Sequence, residues 1–417
     1  MNENVFFKSN KKKIELFPFL LSFCFVLLPI FDIYNFPGTD LLSIGEAVLV
    51  ICMFFSAVFL IKRREKIDFN FYFVFLIVSA TMTILSIFTH SGFSIKTNAI
   101  RVVRDFIYAI FFVWISSKLL NINQVYNIYK IIVICLCCLF IIQYFIFYIY
   151  GYHITFFVPF LKLNYIISSP QVLAYERFHY KRFESVFLEP ASFACYIAPS
   201  LVLSLFKKEK KDYIFAFFVS AILVLIKSAG GYMLLVVTWI MKFVLSKNIK
   251  LGIKIIVFPM LLIVFLVYIT MTKDNPNGIY QRVIMEIFTD NTYSSGKLRV
   301  VRGFLIYNEF PFSEKLFGVG VGNLSTFILA NNIHIMDTNY IDYMNSIAYV
   351  LCTSGIFGLG TYLIAFVKLC VDKKNCFIIA FSFVTFTLLI ANSIYLSLLY
   401  LFYMSFIFMK GTSDFCE

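Results

Sequence analysis

The chain has 417 residues, of which 61% are hydrophobic, 19% aromatic and only 14% charged. Because soluble domains carry about 25% charged residues, this composition excludes a soluble enzyme, a disordered chain and a fibrous repeat. It predicts a polytopic membrane protein. The net charge of +13 is expected from basic cytoplasmic loops, so we predict no nucleic-acid partner.

Apolar runs long enough to cross a bilayer recur along the chain. We therefore predict an all-α polytopic membrane protein with about twelve transmembrane helices in a single membrane domain, residues 1–417. The first run follows a basic start without a small-residue cleavage site, and we expect it to be retained as a helix. The predicted spans are 17–33, 41–61, 69–89, 105–120, 131–150, 187–206, 213–228, 230–246, 255–272, 346–369, 376–392 and 394–409.

The connectors between these runs alternate between two sides of the membrane. Lysine clusters mark one side, which the positive-inside tendency assigns to the cytoplasm together with both termini. Two outer connectors, 151–186 and 273–345, are too long to be turns and too rich in Tyr, Phe and Ile to be disordered. The second lies between the ninth and tenth spans. We expect both connectors to be ordered, the larger one with short helices, and to carry the function.

Arginine is distributed differently from lysine. Only Arg63 and Arg64 fall on the predicted inner side. The planar guanidinium fork suits bidentate binding of phosphate or carboxylate, so the pattern indicates an anionic ligand on the outer side. Pairing with carboxylates of the same loops or with lipid headgroups is the alternative. The outer arginines are Arg101, Arg104, Arg177, Arg182, Arg282, Arg299 and Arg302.

The segment that leads into the sixth span concentrates charge at the membrane boundary. Pro190 suits the first turn of a helix, which places Glu189 at the helix N-terminus, where a negative charge is favoured. Glu189 is therefore either a structural cap or, with Glu184 and Arg182, part of a site for an anionic substrate. Aromatic residues nearby either stack on sugar rings or belong to the interfacial belt.

In the larger outer loop, residues 297–305 are typical of a short amphipathic helix. Arg299 and Arg302 are three positions apart and share a face. The face formed by Leu298, Val301 and Leu305 suits the bilayer surface, so an interfacial helix with snorkelling arginines is the alternative interpretation.

Two further polar features lie near the membrane. Arg101 and Arg104 repeat the three-residue spacing at the outer mouth of the fourth span. Glu46, in the second span, is the one carboxylate that we predict deep in the membrane. Such a residue is either functional or paired with a neighbouring polar group.

We predict no cofactor and no metal. The stretch Gly318–Asn323 lacks the spacing and the βαβ context of a dinucleotide fingerprint and is interpreted as a tight turn. Cys135–Cys138 has no histidine or carboxylate beside it and is typical of buried packing thiols. Asp337, Asp342 and His334 carry suitable ligand atoms, but nothing in the sequence sets their geometry.

These features together resemble the bacterial O-antigen and capsule repeat-unit polymerases of the Wzy type, in the O-antigen polymerase/ligase superfamily. Leu316–Gly320 is similar to the Gly-x-Gly stretch of that family's large loop. Asn345, followed by Gly355–Leu359, is similar to the family's His-Asn…Gly-x-x-Gly pattern, although Met344 stands where many members have His. The Arg-x-x-Ser-x-Phe-x-Glu-Pro run is carried by Arg182, Ser185, Phe187, Glu189 and Pro190.

The resemblance implies an outward-facing glycosyltransferase of the bacterial inner membrane with a GT-C-like helical fold. Such an enzyme transfers a growing glycan from undecaprenyl pyrophosphate to the next lipid-linked repeat unit, without a nucleotide sugar or a metal. The implied partners are the undecaprenyl-pyrophosphate-linked glycan, membrane lipid, a chain-length regulator protein and a flippase.

We assign the pyrophosphate to Arg182, Arg299 and Arg302, and the role of base or arginine-orienting partner to Glu189 or Glu184. Two alternatives stay open. An O-antigen ligase would share the fold and transfer glycan to lipid A core, whereas a lipid-linked oligosaccharide flippase would favour repeated halves and short outer loops. The remaining predicted binding residues are Arg177, Arg282, Arg101, Arg104, Asn345 and His334.

Overall fold

In the computed structural model, regular secondary structure is helical throughout the part that is described, apart from three isolated β-bridges. The described residues are 16–38, 42–67, 69–90, 93–164, 182–207, 209–246, 270–271, 273, 280, 295–334, 341, 343–373 and 375–415. The predicted all-α architecture is confirmed for these residues.

The helices are named in chain order. α4 continues without a break through a π-helical turn, Ile110–Ile115, and a last turn, Ser116–Leu119. The helices are α1 (Leu16–Phe31), α2 (Ile44–Lys62), α3 (Phe71–Thr89), α4 (Ile95–Ala109), α5 (Ile122–Tyr150), α6 (Pro190–Phe206), α7 (Lys210–Leu225), α8 (Ala229–Leu245), α9 (Ser295–Val300), α10 (Arg302–Asn308), α11 (Phe312–Phe317), α12 (Leu324–Ala330), α13 (Ser346–Lys373), α14 (Cys376–Ala391) and α15 (Leu398–Phe408).

Most predicted spans coincide with a helix. Within the described residues, four helices, α2, α3, α5 and α13, are long and apolar enough to cross a membrane, and shorter apolar helices accompany them. The ninth predicted span, 255–272, lies almost entirely outside the described residues. Helices α4 and α5 begin at Ile95 and Ile122, ten and nine residues before the predicted starts at 105 and 131. Arg101 and Arg104 therefore lie within α4 and not ahead of it.

Ion pairs distinguish the two ends of the helical bundle. At one end, which we call the lysine end, Lys130 contacts Asp212 at 2.6 Å and Lys118 contacts Glu65 at 3.6 Å. These pairs join the N-terminal part of α5 to the start of α7, and the C-terminal ends of α2 and α4. The opposite end, the arginine end, holds the starts of α2, α6 and α13. Lys118 and Lys130 thus lie at one end of the bundle, whereas Arg101, Arg104 and Arg299 lie at the other.

The Lys130–Asp212 pair at the lysine end allows a direct stability test. Asp212 is 2% exposed and also accepts a hydrogen bond from Tyr126. Replacing Lys130 with Met removes the nearest cation from a buried carboxylate, which should lower the free energy of unfolding by about 1–3 kcal/mol. Thermal unfolding in detergent measures this. Lys118→Met is the control, because its partner Glu65 is well exposed and such pairs contribute little.

A break in α13 positions the loop that follows α11. Gly355 has φ 66° and ψ −172°, which is not helical. Because the helix is broken here, the carbonyls of Cys352 and Thr353 can accept hydrogen bonds from outside α13. They accept from the backbone of Val319, at 3.1 Å, and Gly320, at 2.8 Å. The glycine-rich stretch is therefore a turn, as predicted, and it is docked on the broken turn of α13.

Candidate functional site

Arg299 and Glu189 meet at the arginine end. Glu189 precedes the first residue of α6, and Pro190 occupies the first helical turn as predicted. The Glu189 side chain makes no capping hydrogen bond. Its Oε2 lies 3.6 Å from Nη2 of Arg299, which comes from α9 in the other outer connector. Two segments that the sequence singles out separately thus lie side by side.

The ends of three helices, α6, α13 and α14, surround the Arg299 side chain. Its Nη1 donates to the side-chain oxygen of Asn392, at the C-terminal end of α14, at 3.2 Å, and its Nε donates to the Tyr343 hydroxyl. Asn345 holds the backbone of the same residue, because its side-chain amide donates to the Arg299 carbonyl at 2.9 Å. The guanidinium is therefore held between α6, α13 and α14 in one orientation.

The charge on Arg299 is stabilised by its surroundings. Burial lowers the pKa of Arg299, but the nearby Tyr343 and Glu189 more than compensate and raise it above its ordinary value. The side chain keeps 20% of its surface exposed, and that of Glu189 keeps 23%. A permanent cation and a carboxylate that both reach solvent form an arrangement suited to a polar, anionic ligand.

Glu184 lies in a different environment from Glu189. It is fully buried, and its Oε2 lies 3.4 Å from Nε2 of His153, whose ring stacks on Phe183. Arg182 begins the same segment and is half-buried. The buried carboxylate is therefore less accessible to a substrate than Glu189, and no local pattern in the sequence indicates His153 as its neighbour.

Gln143 of α5 anchors this segment. Its amide bonds both the N–H of Ser185, at 2.8 Å, and the carbonyl of Ser185, at 3.0 Å. Ser185 has φ 57° and donates its hydroxyl to the Leu136 carbonyl. One side chain thus satisfies both backbone groups of a residue in the left-handed region.

We expect Gln143→Met to loosen the segment 182–189. Methionine keeps the volume but leaves both backbone groups of Ser185 unsatisfied, at a cost of about 2–4 kcal/mol. Limited proteolysis of the purified protein should then cleave near Ser185, whereas the wild type resists. Equal resistance of both proteins would show that Gln143 does not hold the segment.

Arg299 and Arg302 belong to two different helices. Residues 297–305 form parts of two helices, because α9 ends at Val300 and α10 begins at Arg302. Arg302 is fully buried, and Leu298 is 6% exposed. The alternative interpretation, an interfacial helix with snorkelling arginines, is therefore wrong: Leu298 and Arg302 are buried in the bundle and do not lie on the bilayer surface.

Arg101 and Arg104 form a second basic group at the arginine end. Nε of Arg104 lies 2.9 Å from Oε1 of Glu46, and Nη1 of Arg101 donates to the Tyr349 hydroxyl at 2.7 Å. Glu46 is not deep within α2. It lies in the first turn and forms a capping box with Ser43. The expected pairing of Glu46 with a polar neighbour is present.

The other predicted residues have separate positions. Asn345 caps the start of α13, since its side-chain oxygen accepts from the Ala348 N–H at 2.7 Å. Met344 is fully buried among apolar side chains. His334 is exposed, and its backbone N–H donates to Glu309. Arg177 and Arg282 lie outside the described residues.

Over the described ranges, no group of three or more His, Cys, Asp or Glu side chains is arranged to hold a metal ion. Cys137 is buried, whereas Cys135 and Cys138 are exposed on the surface of α5. Of these three cysteines only Cys137 is a buried packing thiol, because neighbouring helical positions cannot all face the bundle.

Comparisons with known proteins leave the site to be interpreted from its own geometry. No protein-family model matches the chain, and no curated protein matches it.

Proposed function

We propose that this protein is a membrane-embedded glycosyltransferase that polymerises undecaprenyl-pyrophosphate-linked oligosaccharide repeat units in O-antigen or capsule biosynthesis. One observation carries the proposal. Glu189 and Arg299, which belong to the two connectors expected to carry the function, lie 3.6 Å apart with both side chains partly exposed. A fixed guanidinium can stabilise the departing pyrophosphate, and the carboxylate beside it can accept a proton.

The proposed reaction has a simple balance. An acceptor hydroxyl oxygen bonds to the anomeric carbon of the donor glycan, and the bond from that carbon to the pyrophosphate oxygen breaks. The departing pyrophosphate keeps the electron pair, and Arg299 stabilises its charge. The hydroxyl proton passes to Glu189 or, if Glu189 only orients the guanidinium, to the departing pyrophosphate. No nucleotide sugar takes part in this scheme.

The remaining parts of the proposal concern the membrane. We propose about twelve spans in a GT-C-like arrangement in the bacterial inner membrane, with both termini in the cytoplasm. The position of Lys118 and Lys130 at the end opposite to Arg101, Arg104 and Arg299 supports this orientation, since cytoplasmic ends are rich in lysine. The arginine end would then face outward, where lipid-linked repeat units are joined.

Purified protein mixed with a synthetic undecaprenyl-pyrophosphate repeat unit tests the activity directly. We expect a ladder of longer glycans and release of undecaprenyl pyrophosphate, both detected by mass spectrometry. A folded, monodisperse preparation that yields no species longer than one unit would contradict the proposal.

Deletion of the gene separates a polymerase from the ligase that the fold would also suit. Loss of a polymerase leaves lipopolysaccharide capped with a single repeat unit, whereas loss of a ligase leaves bare core. The buried, apolar position of Met344 favours the polymerase, because the histidine that many members of the resembled superfamily have there is absent.

A further inference from the structure

A cavity of about 520 Å³ lies at the arginine end between the start of α2, α4 and the turn before α15. Among the residues that the structure describes, three cations line it, Lys96, Arg101 and Arg104, against two carboxylates, Asp32 and Glu46. Asp32 lies in the turn after α1. The charge of the lining residues therefore favours an anion.

An apolar cleft of about 410 Å³ adjoins this cavity between α2 and α4. The two spaces share Glu46, Arg104 and Tyr108 in their walls. Farther along the helices, the cleft is lined by aliphatic side chains such as Val50 and Val103, which are 50% and 54% exposed. Exposed aliphatic groups on apolar helices face lipid, so the cleft opens sideways to the membrane.

The cations are held in place before any ligand binds. Glu46 contacts Arg104 and accepts a hydrogen bond from the Tyr108 hydroxyl at 3.2 Å, and the capping box with Ser43 fixes the carboxylate itself. Arg101 is bonded to Tyr349 of α13. Guanidinium groups with fixed orientation lose little conformational entropy on binding a phosphate-type headgroup.

The cavity is connected to the Arg299 site through the first turn of α13. Tyr349, which contacts Arg101, donates its backbone N–H to the Asn345 carbonyl at 2.9 Å. The Asn345 side chain in turn bonds the Arg299 carbonyl. Two arginine groups therefore border one rigid helix start, as a reaction between two lipid-linked molecules would need.

We infer that this cavity and cleft together bind a second polyprenyl-pyrophosphate lipid, with its pyrophosphate beside Arg101 and Arg104 and its hydrocarbon chain between α2 and α4. The inference rests on the proposed function, in which two such lipids react. A free phosphate would use the cations alone, whereas only a lipid would use both the cations and the adjoining apolar cleft.

Binding of farnesyl pyrophosphate to the full-length protein in detergent, measured by native mass spectrometry, tests the inference without turnover. Val103→Trp fills the cleft and should weaken farnesyl pyrophosphate about tenfold while leaving inorganic pyrophosphate unchanged. Val58→Trp is the matched control, since Val58 is also an exposed valine, on α2, and is 39% exposed. Arg104→Gln should weaken both probes about tenfold. Lys96→Gln, at an exposed position, repeats the charge test if Arg104→Gln does not fold.

The outcomes are distinct from those of the polymerisation assay. Tight binding of farnesyl pyrophosphate that Val103→Trp weakens supports the inference, whether or not oligomers form. Equal binding by the wild type, Val103→Trp and Val58→Trp would overturn it, even if oligomers form. Displacement of farnesyl pyrophosphate by an equal concentration of phosphatidylglycerol would also overturn it, because the site would then bind phosphate lipids in general.

Discussion

Arg299→Lys is expected to reduce polymer formation by at least about 100-fold, the range seen when one preorganised donor to a developing charge is lost. Lysine retains the positive charge but has no planar fork. It cannot reproduce the simultaneous contacts with Tyr343, Asn392 and Glu189 that hold the guanidinium. Charge alone would therefore remain near the site, without the geometry that grips a pyrophosphate.

Complementation of a polymerase-null strain measures this effect as the glycan ladder on a gel, with protein abundance checked by immunoblotting. Arg63→Lys is the control, because Arg63 lies at the lysine end over the Phe59 ring. We expect Arg63→Lys to give a normal ladder. A normal ladder from both Arg299→Lys and Arg182→Lys would remove the assignment of these two arginines to the pyrophosphate.

Helix positions are predictable where apolar runs alone define them, and α4 shows where that criterion fails. Its first three turns contain Lys96, Asn98, Arg101, Arg104 and Asp105, so they read as a polar connector. In the folded chain this part is a helix because its polar groups are used within the protein. Asp105, for example, is 4% exposed and accepts from the Tyr395 hydroxyl at 2.6 Å.

The sequence indicates single residues of the candidate site but not which of them lie in contact. Proline at the first helical position and the charge pattern identify Glu189 and Arg299 locally, yet their contact depends on how α6, α9 and α14 pack. No pattern in the sequence indicates that Asn392 contacts Arg299. The position of Glu46 was readable, because Ser43 three residues before it completes a capping-box pattern that marks a helix start.

The same distinction applies to Arg302. Arg299 and Arg302 are three residues apart, so a continuous helix would place them on one face. The chain instead breaks at Val301, whose φ is −104°, and Arg302 becomes fully buried. The spacing of residues describes a helix in isolation, whereas packing against the bundle decides where each short helix of the loop begins and ends.

Gly355→Ala is expected to unfold or strongly destabilise the arginine end, by about 3–5 kcal/mol. The residue has φ 66°, which an L side chain rarely adopts. A Cβ there would also overlap the carbonyl group of Leu316 at the end of α11. Relief of that overlap would separate the glycine-rich turn from α13, and with it the bonds of Val319 and Gly320 to the broken helix.

Gly360→Ala is the matched control one turn farther along α13, because nothing lies within 4 Å of a Cβ at that position. Alanine is the better helix former, so this variant should be unchanged or more stable by up to about 1 kcal/mol. Size-exclusion chromatography and thermal unfolding in detergent compare the two variants. Similar unfolding midpoints for Gly355→Ala and Gly360→Ala would mean that α13 can straighten without cost. The kink would then have no part in docking the loop that carries Arg299 beside α6.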